Sequence, residues 1–340
     1  MKLFLDGKIH PLHEAYVQHL GGIRPEDGWE SRGLSGHNLQ RDEFDKLTQQ
    51  SRQGFNELVI DKPRFKATMD RLMSLYQSLK AGGTIPEAAG LNHPEIHLVI
   101  GFMRTGGTYL FKQLMESCGL DHHRFLQKMT HDSLPSYHLC VTEFAQSHAL
   151  ELSLELAEYC QWLQDCWPQD TPLIQKRIGY GHDIPRFNTL FGGQPHWWVT
   201  LRDPSWAIDS FFKMENMDPN NNQHFPPFWQ MAVSRFGEQS AEEWMQKPNY
   251  QKALDGWSMY HLDMFRGLAS LDPSRYTFIP FERTAEMADA GPKSLDFSGF
   301  NYSDKPRPDY FDAKVQNQAI DRVLKGIDPK FHAQLEAYRA

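Results

Sequence analysis

Two segments of this chain each run from a continuous apolar stretch through a tight turn into a helical pattern, and both turns carry anion-binding chemistry. The first is IHLVIGFMRTGGTYLFKQLMES (96–117) and the second is PHWWVTLRDPSWAIDSFF (195–212). A buried strand that ends in a glycine turn and opens a helix aims free backbone N–H groups, and the positive end of the helix dipole, at one spot. An anion is favoured there. In the first turn Gly106 and Gly107 let the backbone approach a ligand closely, Thr105 and Thr108 add hydroxyls, and Arg104 adds a cation. In the second, Asp203-Pro204 reads as an N-cap and a first-turn proline, with Arg202 just before it and Ser210 eight residues after the arginine. Two such turns imply a ligand with two separate phosphate groups.

The same alternation sets the fold class. Further strands are expected at Leu173–Gln175, just before Lys176, and over RYTFIPFE (275–282); helical patterns cover 141–163 and 253–270. Strands alternating with helices predict an α/β fold, a doubly wound parallel sheet flanked by helices, with ligands at the carboxyl ends of the strands. Residues 1–60 are polar and mixed, and loops, short helices and little core are expected there. From Pro63 onward Phe65, Met69, Leu72, Met73, Tyr76 and Leu79 recur at helical spacing, with Gly82-Gly83 as a stop. The organisation expected is therefore an N-terminal helical and irregular appendage over 1–90 and an α/β catalytic domain over 91–340.

Composition removes several alternatives. A formal net charge of −8 argues against a nucleic-acid partner, which calls for a basic face. The four cysteines show no CxxC spacing and read as core thiols of a reducing compartment. No metal-binding motif is present, so no metal is expected. The apolar run at the N-terminus breaks after three residues, and no stretch of eighteen apolar residues exists, so neither a signal peptide nor a transmembrane segment is expected and the location expected is cytoplasmic. Oligomeric state is left open.

GFMRTGGT is similar to the phosphate-binding P-loop, whose nucleotide-triphosphatase form is GxxxxGK[ST]. Gly101, Gly106 and Thr108 fit that form, but Gly107 stands where the lysine belongs, and the positive charge has moved forward to Arg104. A kinase uses that lysine on the β/γ-phosphates, so phosphoryl transfer is disfavoured. The arrangement instead resembles the 5′-phosphosulfate loop of sulfotransferases that use 3′-phosphoadenosine 5′-phosphosulfate (PAPS). The family's 3′-phosphate element, strand–Arg-Asp-Pro–helix with a serine eight residues on, is matched by Arg202, Asp203, Pro204 and Ser210. A tryptophan helix (Trp257) followed by a strand ending at Pro280-Phe281-Glu282 is similar, more loosely, to a third family element. The resemblance spans roughly residues 94–300.

That resemblance implies a P-loop nucleotide-hydrolase-like sulfotransferase core and an activity: sulfuryl transfer from PAPS to a hydroxyl or amine, leaving adenosine 3′,5′-bisphosphate. It implies that Thr105, Gly106, Gly107 and Thr108 hold the 5′-phosphosulfate, that Arg104 neutralises the transferred group, and that Arg202 and Ser210 bind the 3′-phosphate. Tyr109 either stacks on adenine, as an aromatic does in many relatives, or packs in the core. Lys176, 26 residues before Arg202, matches a lysine that relatives often carry and would be the catalytic cation. The base is less defined. Some relatives place a histidine two residues after that lysine, where this chain has Ile178; His131, then His182, then His123 are the candidates. KMENMDPNNNQHFPPFWQM (213–231) reads as a surface loop or as a substrate-covering lid. Abundant Trp, Phe and Met favour a small-molecule or lipid-like acceptor. Two other readings stay open on the sequence: a P-loop small-molecule kinase, and a non-catalytic nucleotide-binding protein of the same fold.

Overall fold

In the computed structural model of the chain, the residues described are 4–5, 8–9, 62–93, 95–125, 159–222, 241–282, 295 and 306–340. The chain divides into two compact units. One comprises Met1–Ile96, His123–Leu173 and Arg186–Pro195; the other comprises His97–His122, Ile174–Pro185 and His196–Ala340.

In the first unit, β1 (Phe4–Leu5) pairs antiparallel with β2 (Lys8–Ile9), a pairing the polar N-terminal sequence did not suggest. The helical pattern that begins at Pro63 forms α1 (Lys62–Lys80), with Leu75 and Leu79 buried one turn apart. Helix α2 (Ile85–Ala89) starts at a reciprocal cap: Glu87 N donates to Thr84 Oγ1, and Thr84 N donates to Glu87 Oε2. Residues 159–166 are helical, and Arg71 of α1 reaches Asp165 at 3.0 Å while Gln164 donates to the Ala88 carbonyl at 2.6 Å. The rest of the helix expected over 141–163 lies outside the described residues.

The second unit holds a four-stranded parallel sheet of order β4–β3–β5–β6, made of β3 (Ile96–Gly101), β4 (Leu173–Lys176), β5 (His196–Leu201) and β6 (Tyr276–Pro280). Every residue of β3 is buried, and so are all of β5 but its first, because the sheet is covered on both faces. Between β3 and β4 come α3 (Gly107–Ser117), whose Leu110, Phe111, Leu114 and Met115 are buried, and the short α4 (His122–Phe125). After β4 a 3₁₀ turn (Ile178–His182) leads to α5 (Ile184–Leu190), and β5 leads into α6 (Pro204–Glu215). Helix α7 (Ala241–Gln246) precedes α8 (Asn249–Ala269), eighteen of whose twenty-one residues are buried, the signature of a helix enclosed on all sides. Helices α9 (Ala313–Leu324) and α10 (His332–Glu336) close the chain, with α9 packed on α8. None of the described helices is long and apolar enough to cross a membrane.

The strand order positions the site. From β3 the chain moves out to β4 on one side, then crosses to β5 on the other. A crevice opens where connections diverge like this, at the carboxyl ends of β3 and β5. The two turns singled out in the sequence begin there: the register pairs Gly101 with Thr200, so residues 102–106 and 202–205 leave the sheet side by side.

Tyr260 of α8 ties that edge to the core. Its Oη accepts a hydrogen bond from Gly101 N at 2.9 Å, and Gly181 leaves room for it: a Cβ at 181 would lie 2.2 Å from Oη. Gly181→Ala is therefore expected to displace the tyrosine and lower stability by about 1–3 kcal/mol, the usual cost of overpacking. Urea denaturation of the variant checks this.

Candidate active site

The first turn is wound tightly by two left-handed residues, Arg104 (φ 64) and Gly106 (φ 90), on either side of Thr105. Gly106 is the N-cap of α3 and supplies no side chain, and no acidic residue occupies the first helical turn. The helix N-terminus thus keeps its positive end uncompensated by local carboxylates, an environment suited to an anion. Thr105 is buried and its hydroxyl faces inward, donating to the Phe102 carbonyl at 2.6 Å and lying 2.7 Å from Thr200 Oγ1. Its hydroxyl fastens the loop to β5 in this structure, while Thr108 and Tyr109 are half-buried on the first turn of α3.

The second turn works differently. Asp203 caps α6 with its own carboxylate, accepting from Ser205 N at 2.8 Å and Ser205 Oγ at 2.6 Å. That helix N-terminus is already satisfied by an acid, so anion-binding capacity here belongs to the side chains of Arg202 and Ser210. Arg202 is buried, stacks 4.6 Å from the Phe281 ring, and donates through Nη1 to the Arg104 carbonyl at 2.9 Å. Arg104 in turn donates through Nε to Ser210 Oγ at 3.1 Å. These hydrogen bonds join the two turns through Arg104.

Lys176, at the end of β4, is the third cation. It is buried, and its Cε lies 3.1 Å from where a Cβ on Gly107 would stand. The glycine at the nucleotide-triphosphatase lysine position thus makes room for a lysine that arrives from the neighbouring strand. Burial, and then the Arg104 charge, push its ammonium down to about 7. A bound anion has the opposite influence and restores the charge.

Of the histidine candidates, His131 lies outside the described residues, and His123 is exposed on α4. His122 pairs with Glu116 at 2.8 Å. His182 ends the 3₁₀ turn after β4, buried, with Nδ1 2.9 Å from Asp263 Oδ2 and its ring edge-on to Tyr260 at 4.9 Å. A carboxylate on Nδ1 fixes the tautomer that leaves Nε2 as the acceptor, the arrangement of a general base. Neighbouring His261 donates Nδ1–H to the Trp257 carbonyl, and burial drives it down to about 3, so it stays neutral. Asp263 and Tyr260 were not singled out in the sequence. Their three-residue spacing on one helix face was the available signal, and it reads equally as core.

No protein-family model matches the chain, and no curated protein matches it. Two solved structures are similar to it. Both are sulfotransferase domains. The domain from the curacin biosynthetic pathway is 19% identical with a TM-score of 0.34, covering 57% of this chain and 69% of its own. The domain from the Synechococcus PCC 7002 olefin synthase is 16% identical with a TM-score of 0.32, covering 74% of this chain and 89% of its own.

The buried lysine has a measurable signature. Its folded value near 7 lies below the ordinary 10.5, so the unfolded chain binds more protons between those values and stability rises with pH across that window. Below pH 7 both states carry the charge and burying it is costly. Lys176→Met is therefore expected to be more stable than the parent at pH 7, with the gap closing by about 1.4 kcal/mol per pH unit toward pH 9. Denaturant titrations of both proteins across that range check this.

Proposed function

We propose that this protein is a PAPS-dependent sulfotransferase, transferring a sulfuryl group to a hydroxyl or amine of a small-molecule or lipid-like acceptor. The observation that carries the reading is Lys176 packed against Gly107 at the side-chain-free N-terminus of α3, beside Arg104. A cation from β4 and a cation from the loop meet where a phosphosulfate needs them, and a side chain at position 107, as a kinase requires, would press on Lys176. The contiguity of Arg202, Ser210 and Arg104 supports a ligand with a second phosphate on the same molecule.

PAPS supplies the sulfuryl group, bonded to the 5′-phosphate through a bridging oxygen. Within this reading the amides of residues 105–108 and Arg104 hold the phosphosulfate, and Arg202 and Ser210 hold the 3′-phosphate. Protonated Lys176 stabilises charge on the oxygen that departs with adenosine 3′,5′-bisphosphate. His182 Nε2 accepts the acceptor's proton as the new S–O or S–N bond forms, and Asp263 holds the imidazole in the required tautomer. His131 is the next candidate for that role.

The test is calorimetry with adenosine 3′,5′-bisphosphate, followed by transfer of labelled sulfuryl to a panel of hydroxyl and amine acceptors. Tight binding is expected, weakened by about 2 kcal/mol, or roughly thirtyfold, in Arg202→Ala. His182→Gln is expected to lower kcat by about 10²–10⁴-fold while sparing bisphosphate affinity. Magnesium-dependent ATP turnover without bisphosphate binding would overturn the reading in favour of a kinase.

A further inference from the structure

Glu282 approaches Arg202. It follows the carboxyl end of β6 and is largely buried, 12% of its side chain being exposed. Oε1 accepts from Asp203 N at 3.2 Å and lies 3.7 Å from Arg202 Nε. Oε2 is buried and, among the described residues, has no hydrogen-bond partner. As an anion this group is poorly placed: a buried carboxylate oxygen without a donor is costly, and its charge would repel a phosphate seated on Arg202. As an acid it is well placed. Oε1, accepting from an amide, behaves as the carbonyl oxygen, and the proton belongs on Oε2, the atom that lacks a partner.

We infer that Glu282 is a further ligand of the nucleotide's 3′-phosphate, donating to it from Oε2 as the neutral carboxylic acid; the inference rests on the sulfotransferase reading above. The surrounding charges agree with this. Burial is the largest influence and pushes the carboxyl up to about 7, outweighing the backbone N–H groups of Asp203 and of Glu282 itself, which favour the carboxylate; the Asp203 charge pushes up, and Arg202, just after β5, pulls down. Arg307 pairs with Asp203 at 3.1 Å and so tempers the Asp203 charge. An arriving phosphate adds negative charge and favours the acid further. Below pH 7 Glu282 is already protonated; above it, each bound nucleotide carrying a 3′-phosphate must draw a proton from solvent. This subsite then reads both the presence of the 3′-phosphate and the pH.

The experiment is calorimetry of the full chain at pH 8, where phosphates are fully ionised, with adenosine 3′,5′-bisphosphate and with AMP, in buffers of differing ionisation enthalpy. Lys176 takes up a proton with either ligand, since both carry the 5′-phosphate. The wild type is expected to take up about two protons with the bisphosphate and about one with AMP. In Glu282→Gln the amide keeps the contact to Asp203 N and donates to the phosphate at any pH. Uptake with the bisphosphate is expected to fall to about one, uptake with AMP to stay unchanged, and bisphosphate affinity at pH 8 to rise about tenfold. A glutamate that merely neutralises Arg202 also predicts tighter binding in the variant, so proton uptake discriminates: such a glutamate stays ionised, and the wild type takes up no more protons with the bisphosphate than with AMP. Equal proton uptake for the two ligands in the wild type overturns the inference without any variant. Absence of bisphosphate binding to the wild type overturns the sulfotransferase reading itself.

Discussion

The site depends on one close approach, Gly101 against Thr200. The register sets these residues opposite each other at the carboxyl ends of β3 and β5, and the space a side chain at Gly101 would fill is taken by the Thr200 hydroxyl. That hydroxyl donates to Thr105 Oγ1 at 2.7 Å, whose own proton goes to the Phe102 carbonyl, so the first turn is fastened to the strand that launches the second. Tyr260 fixes the same glycine from the opposite direction through its N–H. A loop held at both ends in this way presents its amides without further reorganisation, which is what electrostatic stabilisation of a transferring group requires.

Around this anchor the charges are arranged at a cost to the empty protein. Lys176 and Arg104 repel each other, and burial drives Lys176 down to about 7. On the other side of Arg202, Glu282 is pushed up to about 7 by burial. Both groups therefore sit near the midpoint of their titrations, one at each end of the proposed nucleotide. A polyanion relieves both, by restoring the lysine's charge and by favouring the acid form of the glutamate. In the proposed complex, binding and protonation are thus coupled at two places by the same physical cause, desolvation of an ionisable group beside a bound phosphate.

Much of this was legible in the sequence, and the reason is local. The β3 and β5 strands, the glycine turn and the Asp203-Pro204 helix start are each written in a few consecutive residues, and the structure reproduces all of them. Lys176 stood out because it ends a short apolar run 26 residues before Arg202, where the family the chain resembles often carries a lysine. What the sequence hid was tertiary. Thr105 read as a ligand hydroxyl, but its inward hydrogen bond depends on Thr200, ninety-five positions away. Asp263 lies eighty-one positions from His182, and nothing in a buried helix marks one acid as a histidine's partner. The explanation for Gly107 was half visible: the missing lysine and the cation at Lys176 could each be read, but not that Lys176 packs against Gly107.

The central claim is that the two turns hold opposite ends of a single nucleotide. The most direct test is a crystal structure of the protein with adenosine 3′,5′-bisphosphate. The account predicts the 5′-phosphate against the amides of residues 105–108 with the Lys176 ammonium beside it, and the 3′-phosphate on Arg202 and Ser210. A nucleotide seated with only one phosphate on these residues, and the other in solvent, would contradict it.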